Sequence, residues 1–214
     1  MSLVDWPSYV TIIGFAVKLA IAICKCSQSL LNKKDKSVLK IKSSKLGDYG
    51  CELSHAEVLN VLRPHQDLTY LEVKYYQGCS VPHWMMSLQH LTHFTLWLFN
   101  YCESLPPLGK LPYLEVLNIG NMKRVEKVGV ELLGIEETQT SPAIVFPKLK
   151  QLSFSDMFKW KEWEGVGADF EVTIMPCLSS LYILNAPFLK QLPDFLHYRP
   201  LLQLDMREEL RHWI

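Results

Sequence analysis

The chain has 214 residues, of which 49% are hydrophobic and 21% are charged, and its 22 basic residues balance 22 acidic ones. This composition excludes global disorder. The zero net charge argues against a dedicated nucleic-acid-binding protein, which normally carries a basic surplus. Leucine is strongly enriched, with 34 of the 214 residues. Such enrichment without a basic bias favours a structural role for these residues, in the packing of a hydrophobic core, over a catalytic one.

The N-terminal part differs in kind from the rest of the chain. Residues 9–24 form an apolar stretch interrupted by Lys18, which is shorter than the roughly 20 residues needed to span a bilayer. A lysine-rich run follows up to Lys45. We interpret residues 1–48 as an apolar segment, expected to be a helix, and a lysine-rich linker. The helix either packs on the main domain or is foreign to the fold, and membrane association through residues 9–24 is the alternative.

The expected location is the cytoplasm. If residues 9–24 inserted into a membrane, the lysine cluster after them would stay on the cytosolic side and keep the remaining chain there. The six cysteines are too few and too irregularly spaced for a disulfide framework or a zinc site. We therefore expect them to be reduced thiols in a cytosolic protein.

From about residue 50 onward the sequence repeats itself. A template with apolar residues at positions 0, +3, +6 and +8 fits six times, and 23 of its 24 sites are apolar or aromatic. The segments start at His65 (the one exception), Leu88, Leu111, Phe146, Met175 and Tyr198, which are 23, 23, 35, 29 and 23 residues apart. An apolar second anchor follows each of the first five, namely Val81, Leu105, Val128, Trp163 and Leu192.

This spacing is the leucine-rich repeat pattern L-x-x-L-x-L, in which repeats are about 20–29 residues long. In each apolar-x-apolar triplet the apolar side chains point inward and the middle one outward, because side chains alternate along a strand. No repeat can bury its apolar face alone, so neighbours stack and their strands line a concave surface. We predict an α/β leucine-rich repeat solenoid over residues 49–214, a horseshoe arc with a parallel concave sheet and an irregular convex side.

Several positions depart from an ideal repeat. The asparagine or cysteine that usually follows the triplet by three residues is replaced by Tyr76, Phe99, Met122, Met157, Ala186 and Glu209. The array should therefore be irregular and lack a ladder of buried asparagines. The insertion at residues 131–145 is polar and acidic, which predicts an exposed loop. Trp160 and Trp163 are interpreted as hydrophobic anchors, and residues 198–214, which lack a second anchor, should be the least stable part.

Several segments of this region carry a family resemblance. They are residues 58–71, 78–85, 100–112, 128–134 and 146–163. One characteristic run is Asn-Tyr-Cys-Glu-Ser-Leu-Pro-Pro-Leu-Gly-Lys-Leu-Pro at 100–112. The clearest segment is Phe-Pro-Lys-Leu at 146–149, which leads to Asp-Met-Phe-Lys-Trp-Lys-Glu-Trp at 156–163. In order and spacing they resemble the repeat region of plant disease-resistance proteins of the coiled-coil nucleotide-binding leucine-rich repeat type, near the group called RPP-thirteen-like. This resemblance covers about residues 50–195 and implies a role in plant defence.

The nucleotide-binding domain of that family has no counterpart in this sequence. No G-x-x-x-x-G-K-[ST] phosphate loop is present, since Gly109-Lys110 is followed by Leu111 within a repeat. The chain therefore resembles a truncated relative, and we expect it not to bind ATP. His90 and His93 lack an acidic or cysteine partner at metal-ligand spacing. We predict no enzyme activity, no cofactor and no metal.

The outward strand positions are where we expect function to lie. They mix aromatic with small polar and charged side chains, which suits protein recognition, and they hold too few basic residues for a nucleic-acid groove. A solvated face without a partner is the alternative. The candidate binding face consists of Tyr70, Glu72, Lys74, His93, Thr95, Trp97, Asn118, Gln151, Ser153, Tyr182, Gln203, Asp205 and Arg207.

We therefore expect a non-enzymatic protein-recognition module. Its concave face would bind a pathogen effector or a host protein, or regulate a nucleotide-binding domain. Two other interpretations stay open: a truncated or decayed resistance-gene product without independent activity, and a membrane-tethered repeat protein. The lysine cluster and the absence of N-x-[ST] glycosylation sites argue against export of the repeats.

Overall fold

Eleven short strands make up most of the regular structure in the part of the chain that is described. The computed structural model describes residues 37–42, 59, 64–135, 143–166, 172–197 and 203–206. The strands are β1 (Val38–Lys42), β2 (Tyr70–Lys74), β3 (His93–Trp97), β4 (Val116–Gly120), β5 (Lys127–Val128), β6 (Ala143–Val145), β7 (Gln151–Ser155), β8 (Glu162–Trp163), β9 (Val172–Ile174), β10 (Ser180–Leu184) and β11 (Gln203–Met206). The short helices are 3₁₀ turns at His83–Ser87 and Leu108–Lys110, and α1 (Val130–Leu133) and α2 (Asp194–His197).

Seven of these strands form one parallel sheet in the order β1-β2-β3-β4-β7-β10-β11. Tyr70 lies opposite His93, and His93 opposite Val116, so each pairing is offset by the 23-residue step. The 35- and 29-residue steps also align the first residues of neighbouring strands, because Gln151 pairs with Val116 of β4 on one side and with Ser180 of β10 on the other. The six predicted strands are confirmed, and the fold is of the leucine-rich repeat α/β type.

Strand β1 extends the sheet beyond the predicted repeats. It pairs in parallel with β2 along its whole length, so the interpretation of residues 38–42 as part of a linker is wrong. Leu39 and Ile41 take the two strand sites of the template, and Ile41 is buried. The template missed this strand because its first two sites are occupied by Lys33 and Lys36.

Residues 1–36 and 43–58 lie outside the part of the chain that the structure describes. The expected helix over residues 9–24 and its alternative at a membrane therefore stay predictions, whereas the sheet already includes β1, which lies before the predicted start of the repeats at residue 49. Among the described residues, no helix has the length and apolar character needed to cross a bilayer. Of residues 198–214, only 203–206 are described, so the expected low stability of this end also stays a prediction.

The core lies against one face of the sheet. The inward template residues of five consecutive strands are all buried: Leu71, Val73, Phe94, Leu96, Leu117, Ile119, Leu152, Phe154, Leu181 and Ile183. Burying one such side chain stabilises the folded state by roughly 1.5–3 kcal/mol, so the stacked layers supply a large share of the stability. His65, the polar exception in the template, is exposed.

A ladder of backbone hydrogen bonds lies next to the positions at which other leucine-rich repeats carry buried asparagines. The residue directly after each of β2, β3, β4, β7 and β10 has a left-handed φ of 54–63°. Four of these residues donate their N–H to the last carbonyl of the neighbouring strand at 2.9–3.0 Å: Tyr75 to Trp97, Leu98 to Gly120, Asn121 to Ser155 and Asp156 to Leu184. The next side chains, Tyr76, Phe99, Met122, Met157 and Ala186, are buried and enlarge the core.

The longer repeats add two small parallel sheets away from the main one. Strand β5 pairs with β8, and β6 pairs with β9. The exposed loop predicted for residues 131–145 is wrong for 131–135 and 143–145, which hold most of α1 and all of β6. The reason is apolar packing, because Leu132, Leu133 and Val145 are buried in the core. Residues 136–142 lie outside the described part.

The second anchors complete the core at a distance from the sheet. Leu105, Val128 and Trp163 are buried, and Val81 and Leu192 are partly buried against the same core. The ring of Trp163 packs 5.4 Å from that of Trp160, which is fully buried. The interpretation of both tryptophans as hydrophobic anchors is therefore confirmed.

Candidate recognition face of the sheet

The side chains that point away from the core form one continuous surface, which we call the outer face. Since side chains alternate along a strand, each strand places its first, third and fifth residues there. These residues are half-buried or exposed in β2, β3, β7 and β10, while the residues between them are buried. The outer face includes Tyr70, Glu72, Lys74, His93, Thr95, Trp97, Asn118, Gln151, Ser153, Tyr182 and Gln203.

For two of the predicted site residues, the structure does not describe the side chain. Asp205 lies opposite Tyr182 in the strand register, which puts it on the same row, but its side chain is not among those described. Arg207 lies outside the described residues. Their membership of a binding face stays a prediction, as does the binding role of the other residues.

Strand β1 adds a residue that the sequence analysis did not include. Lys40 lies opposite Glu72 in the register. Its ammonium nitrogen is 3.5 Å from a carboxylate oxygen of Glu72 and 5.3 Å from the ring centre of Tyr70. The alternation of Leu39 and Ile41 around Lys40 was the signal that could have placed it on this face.

Glu72 is the centre of a charged cluster at this end of the outer face. It makes ion pairs with Lys40 and Lys74 and accepts a hydrogen bond from the Tyr70 hydroxyl at 3.0 Å. Burial raises the pKa of Glu72, but hydrogen bonds from Lys74 and Tyr70 and the charges of both lysines outweigh burial and lower it. Burial, together with the neighbouring Glu72, raises the pKa of Tyr70. At neutral pH the carboxylate is therefore ionised and the phenol neutral.

Two aromatic side chains on the outer face are held by their neighbours. The ring of Tyr70 stacks on that of His93 with 6.1 Å between the ring centres. Trp97 covers Gly120 so closely that a Cβ atom added there would lie 2.1 Å from a carbon of the indole ring. Glycine at position 120 thus lets the indole lie against the backbone of β4, a role that no sequence pattern indicated.

The other half of the outer face carries no charged side chain among its described residues. Its members on β4, β7 and β10 are Val116, Asn118, Gly120, Gln151, Ser153, Ser155, Ser180, Tyr182 and Leu184. Within this half, the amide nitrogen of Asn118 is 3.4 Å from the hydroxyl oxygen of Thr95 on the neighbouring strand. The outer face therefore passes from a charged cluster near β1 and β2 to an uncharged surface on β4, β7 and β10.

The two histidines examined as metal ligands take part in different contacts. His90 stacks on Tyr113 with 6.2 Å between the ring centres, whereas His93 stacks on Tyr70. Within the described ranges, no group of three histidine, cysteine, aspartate or glutamate side chains is arranged to hold a metal ion. The described side chains of the outer face offer aromatic surface and hydrogen-bonding groups.

Comparison with known proteins points to one type of repeat. The family model of R13L1/DRL21 leucine-rich repeats matches residues 24–122. This range contains β1 to β4, so it agrees with the finding that β1 belongs to the repeat array.

Three relatives are disease resistance proteins of plants. One from Arabidopsis thaliana is 37% identical over 137 residues, or 63% of this chain and 9% of that protein. The RPP13-like protein 1 of the same plant is 33% identical over 150 residues, or 67% of this chain and 14% of that protein. RGA2 of Solanum bulbocastanum is 28% identical over 157 residues, or 71% of this chain and 16% of that protein. No solved structure is significantly similar to the chain.

The matches cover 63–71% of this chain and less than a fifth of each relative. They agree with the parallel sheet and its apolar layers, and both the family and the relatives indicate a repeat module rather than an enzyme. Through leucine-rich repeats of the R13L1/DRL21 type, the chain is similar to the leucine-rich repeat region of plant disease resistance proteins.

Proposed function

We propose that this chain is a protein-recognition module of plant disease resistance and that the outer face of the sheet is its binding surface. The repeats form a solenoid arc with the outer face on the concave side. The partner is a pathogen effector or a host protein, or a nucleotide-binding domain that the repeats regulate. The chain acts in the cytoplasm, and association with a membrane through residues 9–24 is the alternative.

The observation that carries this proposal is the set of aromatic side chains on the outer face. Tyr70, Trp97 and Tyr182 lie half-exposed on three different strands. Tyrosine and tryptophan supply a large share of the binding energy at protein interfaces. Tyr70 is held by His93 and Glu72, and such positioning before binding lowers the entropic cost of association.

The charge distribution supports a protein partner over a nucleic acid. The two lysines of the charged cluster, Lys40 and Lys74, both pair with Glu72. Described outer-face residues on β4, β7 and β10 carry no charge. Nucleic-acid binding draws most of its affinity from several basic side chains that contact phosphates, and the outer face does not present such a row in its described part.

The proposal can be tested by affinity capture with a matched pair of variants. The full chain, Trp97→Ala and Phe188→Ala would each be immobilised and exposed to a plant leaf extract and, separately, to a purified nucleotide-binding domain of a plant protein of the resembled disease-resistance type. Phe188 is 61% exposed and lies outside the strands. We expect a partner whose binding weakens at least about tenfold with Trp97→Ala and is unchanged with Phe188→Ala.

Two outcomes would contradict the proposal. One is a set of bound proteins that responds equally to both substitutions, because binding would then not use the outer face. The other is the absence of any bound protein whose retention depends on Trp97, which would favour the alternative of a resistance-gene product without independent activity. Circular dichroism of the three proteins would ensure that all of them are folded.

A further inference from the structure

Two cysteines lie in the segments that follow the neighbouring strands β2 and β3. Cys79 and Cys102 are 23 residues apart, which is the offset that pairs β2 with β3. The 23-residue offset continues as far as Tyr76 and Phe99, whose ring centres are 4.9 Å apart, and Cys102 contacts Gly78, the residue before Cys79. Paired strands are roughly 4.7–4.9 Å apart, and a disulfide spans a Cα separation of about 4.4–6.8 Å. The repeat geometry is therefore compatible with a bond between these cysteines.

The side chain of Cys102 points at the loop that carries Cys79. Its thiol donates to the carbonyl oxygen of Gly78 at 3.2 Å, and the peptide group of that carbonyl includes the nitrogen of Cys79. Tyr76 holds the loop in place, because its hydroxyl donates to the carbonyl of Ser80 at 2.7 Å. A Cβ atom at Gly78 would lie 2.2 Å from the phenolic oxygen, so the ring is seated directly on the loop.

We propose that Cys79 and Cys102 form a reversible disulfide between the repeats of β2 and β3 when the chain meets oxidised glutathione. The proposal is independent of the recognition function. Both thiols are free in the structure; Cys79 is exposed and Cys102 is 2% exposed. In the proposed cytoplasmic location, where disulfides are usually transient or regulatory, the reduced pair is the resting form and the disulfide is a redox-dependent link.

The exposed sulfur of Cys79 reacts first. Its thiolate attacks one sulfur of oxidised glutathione, which forms a mixed disulfide and releases one glutathione thiolate that takes up a proton. Burial, with Cys79 nearby, raises the pKa of Cys102 to about 11, so this thiol loses its proton only in the second step. Cys102 then attacks Cys79 Sγ and its proton passes to the departing second glutathione. Two protein thiols are oxidised, and one oxidised glutathione is reduced to two thiols.

The sequence allows a direct test by mass spectrometry. Residues 75–110 contain both cysteines, and Lys110 is the first basic cleavage site after Lys74, so trypsin releases both in one peptide. The full chain would be incubated with oxidised glutathione, blocked with N-ethylmaleimide in guanidinium and digested. We expect the peptide to lack two hydrogen atoms and to carry no maleimide. Treatment with dithiothreitol before blocking should restore two maleimide groups.

Cys177 serves as an internal control for the oxidant. It is exposed, and its counterparts in the neighbouring repeats are Lys148 and Pro200, so we expect it to form a mixed disulfide with glutathione. The proposal is overturned if Cys177 is modified while Cys79 and Cys102 both stay reduced, or while Cys79 retains glutathione beside a free Cys102. A cross-link from Cys79 to any other cysteine would overturn it as well.

Two variants test the order of the steps. In Cys102→Ala, the reaction should stop with glutathione bound to Cys79. In Cys79→Ser, Cys102 should stay unmodified, because its sulfur is buried. Glutathione attached to Cys102 in the second variant would show that the buried thiol reacts alone and would contradict the mechanism. Since the unaltered chain gives the primary result, failure of either variant to fold does not affect that result.

Discussion

The repeats around β2, β3 and β4 and the longer ones between β4 and β10 build the same sheet by different routes. The first group advances by 23 residues and closes its turns with short 3₁₀ segments, His83–Ser87 and Leu108–Lys110. The second group advances by 35 and 29 residues and adds β5, β6, β8, β9 and α1. The register of the main sheet is nevertheless continuous across both groups. The additional residues of the longer repeats therefore form elements outside the main sheet, as is typical of insertions in stacked repeats.

The two regions also differ in what fills the space opposite the sheet. In the shorter repeats, single aliphatic anchors such as Leu105 suffice. In the longer repeats, Phe154, Trp160 and Trp163 form an aromatic cluster with ring centres 4.7–5.4 Å apart. Interior packing density requires that this space be filled by side chains, and in the longer repeats the three aromatic rings fill it. Stability should therefore depend on tryptophan in the longer repeats and on leucine in the shorter ones.

The largest effect is expected for Trp160→Ala in the longer repeats. The indole is fully buried, and its N–H donates to the carbonyl of Glu162 at 2.9 Å. Removing it should lower the free energy of unfolding by about 3–5 kcal/mol, measured by urea denaturation. The control is Phe158→Ala, because Phe158 is 49% exposed and its loss should change stability by less than about 0.5 kcal/mol. Equal effects would show that the far side is not packed around the tryptophans.

The corresponding test of the shorter repeats is Leu117→Ala in β4. Its side chain is fully buried between stacked repeats, so we expect a loss of about 2–5 kcal/mol. Asn118 lies on the outer face, and Asn118→Ala should stay within about 0.5 kcal/mol of neutral. Thermal unfolding of both variants would decide the matter. If the two substitutions are equally mild, the inward and outward assignments in this strand are wrong.

A smaller loss of stability is expected for Gly109→Ala, at the contact between the shorter repeats and α1 of the longer ones. A Cβ atom at Gly109 would lie 2.2 Å from the carbonyl oxygen of Leu133 at the end of α1. Gly109→Ala must displace α1, at a cost of about 1–3 kcal/mol, and should speed hydrogen exchange at Gly134, whose N–H donates to Val130. Gly165→Ala is the control, because its nearest neighbour would be 3.5 Å away. Unchanged exchange at Gly134 would mean that α1 does not rest on Gly109.

The smallest effect concerns the charged cluster beside the shorter repeats. The folded state lowers the pKa of Glu72, so the ionised group stabilises the fold above its unfolded pKa of about 4.3. This contribution is lost as the pH falls through the folded value. Glu72→Gln should cost less than about 1 kcal/mol at pH 7, and the difference from the unaltered chain should shrink below about pH 4. A difference that is constant from pH 7 to pH 3 would refute this origin.

Some features of the fold follow from local spacing alone. The triplets at Leu71, Phe94, Leu117, Leu152 and Leu181 are confirmed as buried strands. They could be predicted because a strand needs alternation over only a few residues. Strand β1 was missed because lysines precede it, although its own alternation fits. The insertion was misjudged because Leu132 and Leu133 were outweighed by the polar residues after them.

The candidate site was predictable in position and not in detail. Alternation along the strands determined from sequence alone which side chains, such as Trp97 and Tyr182, share the outer face. Only the tertiary structure decided that Lys40 joins Glu72, that Trp97 lies on Gly120, and that Cys102 faces the loop of Cys79. The physical reason is that alternation is a property of neighbouring residues along the chain. These contacts join residues 23 or more positions apart, so they exist only once the repeats have stacked.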